Sequence, residues 1–89
     1  MDSLNVAKVL FDNIDKIHTT TLGVGRIKRN LKLDVCDEDV VEFCIDSIKR
    51  YDDIILKGKN YYVYVDDMVF TVNKNSFTII TAHSRWFFF

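Results

Sequence analysis

This chain contains no proline, and its 89 residues include only three glycines, two cysteines and two histidines. The two cysteines form no Cys-x-x-Cys pair and no secretory segment opens the sequence, so we expect a reduced, cytoplasmic protein. No apolar run approaches the length of a membrane span, so we expect no membrane partner. Because no proline interrupts the C-terminal part, an unbroken series of strands is allowed there.

The remaining composition is that of a folded domain whose overall charge points to no partner. Apolar residues make up 48% of the chain and charged residues 28%, which argues against disorder. A chain of this length accommodates one core, so we expect a single domain over residues 1–89. The net charge of −1 gives no argument for nucleic acid, a membrane or an acidic substrate. Its distribution is uneven, because every full charge is positive in residues 16–32 and negative in residues 34–46.

The spacing of apolar residues changes once along the chain, from about 3.6 to about 2 residues. The first spacing predicts three helices, at about residues 3–18, 21–32 and 37–50. Thr20 or Thr21 is the predicted cap of the second helix. Gly23 and Gly25 near its start indicate either an irregular first turn or a backbone kept bare for a ligand.

The second spacing predicts four strands, at about residues 54–57, 61–65, 68–73 and 77–83. The separators are Gly58, Asp66-Asp67 and Lys74-Asn75, each of which is a plausible hairpin turn. Helices followed by hairpins are typical of an α+β domain. We therefore predict three N-terminal helices packed on a C-terminal four-stranded antiparallel β-meander.

The fourth predicted strand is apolar on both faces. Strict alternation puts Phe77, Ile79, Thr81 and His83 on one face and the residues between them on the other. A strand of this kind is typical of the centre of a sheet, or of a strand covered on both sides. His83 would then lie at the exit of a buried strand, where site residues are common.

Both histidines stand beside threonines and basic residues. His18 precedes three threonines, and His83 lies between Thr81 and Arg85. Since imidazole moves protons near neutral pH, we predict His18, His83 and Thr81 as candidate catalytic residues. The alternative for His18 is a structural role at a helix C-terminus, and for His83 a strand end satisfied by a neighbouring carbonyl or carboxylate.

Basic and aromatic residues supply candidate binding groups. Arg26 and Arg29 have no acidic residue three or four positions away, which leaves their charge locally unpaired. The predicted phosphate contacts are Arg26, Lys28, Arg29 and Arg85, with a solvated helix face as the alternative. The predicted base-stacking residues are Tyr62 and Tyr64, which are otherwise ordinary amphipathic sheet residues. No cluster has metal-ligand spacing, so we expect no metal and no cofactor.

Five segments of the chain carry a family resemblance. They are Asn13-Ile14-Asp15-Lys16-Ile17-His18-Thr19-Thr20, Leu22-Gly23, Arg26-Ile27-Lys28-Arg29-Asn30-Leu31, Lys57-Gly58-Lys59-Asn60-Tyr61-Tyr62 and Ser76-Phe77-Thr78-Ile79-Ile80-Thr81-Ala82-His83. Together they resemble a family of small bacterial proteins, known mainly from Firmicutes and catalogued as a domain of unknown function. The resemblance implies a cytoplasmic single domain and carries no activity.

A looser resemblance, which rests on element order alone, is to the barnase, colicin D and RelE group of small ribonucleases. In that group N-terminal helices precede an antiparallel meander that bears the catalytic groups. The resemblance implies cleavage without a metal, in which His18 or His83 exchanges a proton with the ribose 2′-hydroxyl or the leaving oxygen. Arginine or lysine from the predicted phosphate contacts would stabilise the charge of the phosphorane.

Three functions therefore stay open. The first is a module that binds nucleic acid or protein and regulates or inhibits a nuclease of a host or a mobile element. Its partner would be RNA or a nucleoprotein, or a protein that contacts the acidic helix from Asp37 to Asp46 or the tail from Trp86 to Phe89. The second is the metal-independent ribonuclease. The third is a structural subunit that forms a homodimer or larger oligomer through a sheet edge or that tail.

Overall fold

The computed structural model describes residues 3–85. This part contains three α-helices, α1 (Ser3–Asp12), α2 (Thr21–Leu31) and α3 (Val40–Lys49). One four-stranded sheet follows, with strands β1 (Asp53–Lys57), β2 (Asn60–Val65), β3 (Met68–Asn73) and β4 (Ile79–Ser84). The predicted α+β class, with helices before an antiparallel sheet, is confirmed. In residues 3–85 no helix combines the length and the apolar character that crossing a membrane requires.

The first helix is shorter than predicted. It ends at Asp12 instead of residue 18, and a 3-10 turn (Ile14–Lys16) follows. Asn13 marks the break, because its side-chain amide donates to the carbonyl of Val9 at 2.9 Å and so competes with the helical ladder. After the 3-10 turn the chain is extended. This conformation buries Ile17 in the core and lets the backbone of His18 form hydrogen bonds at the start of β4. The prediction of a helix over residues 3–18 was wrong because these tertiary contacts need an extended backbone.

The second and third helices follow the sequence pattern more closely. Thr20 caps α2, as its hydroxyl accepts a hydrogen bond from the amide of Gly23 at 3.0 Å. Lys32 ends α2 in the left-handed conformation, with φ of 55°. The acidic run predicted to open the third helix forms a separate 3-10 turn (Asp37–Asp39), and α3 begins only at Val40. The helices bury one stripe each, centred on Leu10, Ile27 and Cys44 respectively.

The sheet is a meander with strand order β1-β2-β3-β4. Two-residue turns at residues 58–59 and 66–67 join the first three strands, and Gly58 and Asp66 adopt the positive φ that such turns require. One face packs on the three helices and supplies the core side chains of all four strands, namely Ile54, Tyr61, Val63, Val65, Phe70, Val72, Ile79 and Ala82. We call the opposite face, which bears Tyr62, Tyr64 and Val69, the outer face.

The fourth strand departs from its prediction in both position and pattern. It starts at Ile79, because Phe77 has a φ of 57° and its amide closes the preceding turn on the carbonyl of Asn73 at 2.9 Å. Ile80 is an extra residue in the pairing with β3, which lets Ile79 and Ala82 both reach the core. β4 is an edge strand, so the central one of the two predicted arrangements was wrong. β4 is apolar on both faces for two reasons. The bulge breaks the alternation, and both α2 and the segment that precedes α2, which includes His18, lie against β4.

Candidate functional site

His18 is held at the start of β4. Its amide donates to the carbonyl of Phe77 at 3.2 Å, and its carbonyl accepts from the amide of Ile79 at 2.7 Å. The exposed imidazole spans two partners, with Nδ1 2.8 Å from the carbonyl oxygen of Lys16 and Nε2 3.1 Å from Oγ1 of Thr78. It therefore stands beside a hydroxyl, and it is not the helix C-terminal residue of the structural alternative.

His83 and Thr81 lie further along β4, on strand positions that face away from the core. His83 is 8% exposed, and its Nδ1 lies 3.0 Å from the carbonyl oxygen of Ser84. The hydroxyl of Thr81 accepts a long hydrogen bond, 3.4 Å, from the side chain of Asn30 on α2. Thr78 and His83 are five residues apart, or roughly 15 Å of extended strand. The two imidazoles are thus brought to opposite ends of one strand and not onto a shared phosphate.

The four predicted phosphate contacts are divided by the fold. Lys28 pairs with Asp37 at 2.9 Å, and this hydrogen bond raises the pKa of Lys28. Arg85 pairs with Asp52 at 3.3 Å, at the far end of the sheet. Arg26 and Arg29 are exposed on α2 and form no ion pair with any residue in 3–85. Of the four predicted phosphate contacts, Arg26 and Arg29 are thus the two without an ion pair within residues 3–85.

A groove on the outer face lies beside three predicted site residues, Tyr62, Tyr64 and His83. Its volume is about 590 Å³, and it is lined by Ile55, Lys57, Tyr62, Tyr64, Val69 and His83. Tyr62 and Tyr64 alternate along β2 and are half-buried, whereas the adjacent Tyr61 faces the core and is 3% exposed. The pairing of Ile55 with Tyr62, of Tyr64 with Val69, and of Val69 with His83 carries the groove across all four strands. Both predicted stacking residues therefore share one surface.

Tyr64 also contacts a cation. The guanidinium carbon of Arg85 lies 5.3 Å from the centre of the Tyr64 ring, within cation–π range. Arg85 is anchored there by Asp52 and by its own amide, which donates to the carbonyl of Asp67 at 2.6 Å. The structure thus brings together two residues, Arg85 and Tyr64, that were predicted for separate roles.

Three lysines that sequence reasoning missed lie at one end of the sheet. Lys57 is the last residue of β1, Lys59 lies in the β1–β2 turn, and Lys74 belongs to the β3–β4 turn. The amide of Lys74 donates to the carbonyl of Lys59 at 2.8 Å, so the two turns touch. All three are exposed and, within residues 3–85, none forms an ion pair. We call these three residues the lysine rim. The predicted antiparallel meander could have indicated it, because such a meander places its first and third turns at the same end of the sheet.

The opposite end of the sheet is acidic. The β2–β3 turn carries Asp66 and Asp67, and Asp52 precedes β1. The carboxylate of Asp52 accepts from the amide of Asp66 at 2.8 Å, while Arg50 pairs with Asp66 at 3.3 Å. The outer face therefore has a positive end and a largely neutralised acidic end.

Comparison with known proteins places the chain in a family. A family model described as protein of unknown function (DUF3781) matches residues 11–83. The chain belongs to this family. No curated protein and no solved structure matches it.

The matched range covers most of the features described above. It includes His18, the lysine rim, Tyr62, Tyr64 and His83, and it ends before Arg85. Family membership therefore extends over the outer-face groove and the His18 contacts alike, and it assigns a role to neither.

Residues 3–85 contain no candidate metal site and no cysteine whose surroundings indicate a reactive thiol. No group of three or more His, Cys, Asp and Glu side chains in residues 3–85 is arranged to hold a metal ion. Cys36 is exposed, and Cys44 is buried. Burial raises the pKa of the Cys44 thiol to about 12, which keeps it protonated and unreactive. The predicted tail contact of residues 86–89 lies outside the described residues.

Proposed function

We propose that this DUF3781 chain is a small module that binds single-stranded nucleic acid on the outer face of its sheet. In this proposal Tyr62 and Tyr64 stack on bases, and the lysine rim contacts phosphates. The observation that carries it is the aromatic groove whose lining includes Lys57, one of three lysines at that end of the sheet that form no ion pair within residues 3–85. Aromatic rings beside a positive groove are the common means of holding single strands.

The tyrosine positions suit bases that have left a duplex. Alternate residues of a strand are about 6.8 Å apart, so the two rings offer separate platforms for two bases. Unstacked bases of single strands pack on aromatic rings and on guanidinium planes. Arg85 already lies over Tyr64, so a base on the other side of the ring would complete a three-layer stack.

The charge of the outer face would orient the bound nucleic-acid strand. Lys57, Lys59 and Lys74 attract phosphates at one end, while Asp67, which forms no ion pair within residues 3–85, disfavours them at the other. Since the net charge of the chain is only −1, attraction depends on this local arrangement. A short contact of a few nucleotides with strong salt dependence is the expected result.

The setting that we propose is a bacterial cytoplasm, with RNA or a nucleoprotein as the partner. The free thiols of Cys36 and Cys44 support a reducing compartment. Regulation of a nuclease from a host or a mobile element would follow if the bound strand is that nuclease's substrate.

The test is fluorescence anisotropy with labelled twelve-nucleotide single strands of RNA and DNA. Stacking on each ring contributes about 1–3 kcal/mol, so Tyr62→Leu and Tyr64→Leu should each weaken binding about tenfold. Tyr51→Leu is the matched control, because Tyr51 packs on Phe11 away from the groove. Equal affinity in all three variants, or no binding by the parent chain, would contradict the proposal.

The ribonuclease alternative has less geometric support. A two-histidine mechanism needs both imidazoles at one phosphate, and these lie at opposite ends of β4. The same RNA, run on a denaturing gel after incubation, would reveal cleavage. Cleavage that is lost in His18→Ala or His83→Ala would favour the enzyme over the binding module.

A second candidate is a regulator that binds a protein with a basic surface. Four exposed carboxylates favour it, because none forms an ion pair within the described chain; they are Glu38, Asp39, Glu42 and Asp46. Such a surface steers a basic partner and speeds association. Replacing Glu42 and Asp46 by lysine should abolish capture of a basic nuclease without affecting strand binding, and unchanged capture would exclude this surface.

A further inference from the structure

The first strand has an open edge. β2 pairs with one side of β1, and no strand within residues 3–85 pairs with the other. The hairpin closes on Lys57 and Asn60, so the backbone groups of Asp53, Ile55 and Lys57 face β2. Those of Ile54 and Leu56 consequently point to the open edge.

A local hydrogen bond agrees with this direction. The amide of Ile54 donates to the carboxylate of Asp53 at 2.9 Å, as an amide turned away from β2 can do. Ile55, on the outer face of the same strand, is 44% exposed. A strand edge without a partner strand, beside an exposed aliphatic side chain, is a template for another strand.

The sequence of β1 complements itself when it is reversed. Antiparallel pairing of two copies about Ile55 sets Asp53 opposite Lys57, Ile54 opposite Leu56, and Ile55 opposite itself. Both cross-strand charge pairs are of opposite sign, and all other pairs are aliphatic. Opposite charges and aliphatic pairs both stabilise antiparallel strands when they lie directly across from each other.

The register of the backbone agrees with that of the side chains. In antiparallel strands, hydrogen-bonded pairs alternate with pairs that are not hydrogen-bonded. Ile54 and Leu56 carry the outward-pointing groups, so they would form the hydrogen-bonded pairs, and Ile55 would sit between them on a two-fold axis. A two-fold axis at a pair without hydrogen bonds is an ordinary arrangement of an antiparallel ladder.

We propose that two copies of this chain pair through β1, with Ile55 on the two-fold axis, to form a continuous eight-stranded sheet. The partner is a second copy because β1, paired with itself, satisfies both the charge and the backbone registers. Ile55 and Lys57 line the edge of the outer-face groove, so the dimer brings two grooves to one seam. In the dimer Lys57 faces Asp53 of the second copy, which leaves Lys59 and Lys74 of the rim to contact phosphates, and the pairing itself does not depend on what the groove binds.

The dimer should be weak. A five-residue edge forms an interface at the low end of specific interfaces, below about 1,200 Å² in total. Sedimentation velocity from about 10 µM to 1 mM should therefore show a monomer that shifts to a dimer. A monomer across that whole range would overturn the proposal.

A disulfide tests the register directly. Cα atoms of a pair without hydrogen bonds lie about 4.5 Å apart, within the span that a disulfide bridges. Ile55→Cys in a Cys36→Ser background should become mostly a covalent dimer under mild oxidation. Ile80→Cys, at an exposed position on the other edge strand, is the matched control and should stay monomeric. Equal crosslinking of both variants, or none at Ile55→Cys, would overturn the proposal.

Charge reversal tests the partner. Asp53→Lys and Lys57→Asp each create like-charge pairs, so each should weaken the dimer about fivefold or more. An equimolar mixture of the two variants restores opposite charges and should recover dimerisation. Circular dichroism melts confirm that Asp53→Lys folds without its bond to Ile54. Dimerisation of the single variants at parental strength, or no recovery on mixing, would overturn the assigned pairing.

Discussion

His18 and Thr78, which lie 60 residues apart in sequence, are joined through their side chains and in a parallel β-bridge. A carbonyl only accepts, so the contact with Lys16 places a proton on Nδ1 of His18. Nε2 lies 3.1 Å from the hydroxyl of Thr78, and that hydroxyl lies 2.8 Å from the hydroxyl of Ser76. This chain of bonds ties the segment between α1 and α2 to the sheet.

A double-mutant cycle measures that tie. His18→Ala and Thr78→Val each remove one partner, and each should lower the free energy of unfolding by about 1 kcal/mol. The two losses should not add, with a coupling of about 0.5–1.5 kcal/mol in urea unfolding of the double variant. Strictly additive losses would show that the two side chains do not stabilise each other.

The two glycines of α2 should respond to alanine in opposite directions. A Cβ at Gly23 would collide with Oγ1 of Thr19, which is held by its hydrogen bond to the carbonyl of Ile79. Gly23→Ala should therefore destabilise by about 1–3 kcal/mol, as overpacking does. A Cβ at Gly25 would meet nothing within 4 Å apart from the neighbouring residues and the backbone of its own helix, so Gly25→Ala should stabilise by about 0.5–1 kcal/mol. Thermal melts of both variants test the contrast, and equal shifts would contradict it.

The lysine rim should set the salt dependence of strand binding. Each phosphate contact on a single strand contributes about 0.7 to the slope of log affinity against log salt. Lys59→Ala with Lys74→Ala should lower that slope by roughly 1.4. Lys49→Ala, an exposed lysine at the end of α3, is the control and should leave the slope unchanged. An unchanged slope in the double variant would remove the rim from the proposed interface.

The two thiols should differ in reactivity. Maleimide at neutral pH should modify exposed Cys36 in the folded protein and leave buried Cys44 untouched. Mass spectrometry should count one adduct before denaturation and two after it. Fast labelling of Cys44 in the native state would mean that the core around it opens readily.

Alkaline pH should weaken the fold through Cys44. Burial raises the pKa of this thiol from its ordinary 9.0 to about 12, so the unfolded chain releases the proton first. The contribution is fully present below pH 9 and falls by roughly 1.4 kcal/mol per pH unit between 9 and 12. Urea unfolding at pH 8 and pH 10 should show a smaller loss in Cys44→Ala than in the parent. Equal losses would contradict the assignment.

The sequence predicted the helix cap, the tight turns and the strand alternation well, because each of these depends only on neighbouring residues. Thr20 was a predicted cap and caps α2, and the two-residue turns at residues 58–59 and 66–67 fall where glycine and aspartate indicated them. A cap or a tight turn needs only a few neighbouring residues, so the sequence contains the whole cause. The predicted stacking residues Tyr62 and Tyr64 also share one face, because alternation along a regular strand is a local property.

The elements that failed depend on distant partners. The first helix stops at Asp12 because Ile17 and His18 are needed by the core and by β4. The last strand lost its predicted alternation because its pairing with β3 requires a bulge at Ile80. The need for glycine at position 23 has a tertiary cause as well, since the hydroxyl of Thr19 occupies the space that a Cβ would take. None of these contacts leaves a periodic trace in the sequence.

The sequence by itself determined the α+β class, the number and order of the helices and strands, and the alternation that puts two tyrosines on one face. Those properties follow from apolar spacing and turn residues, which act over a few positions. Only the tertiary structure decided that His18 meets Thr78 and not His83, that Lys59 and Lys74 adjoin, and that β1 presents an open edge. Each of these depends on which strands and turns become neighbours, and that choice is made by packing the whole core at once.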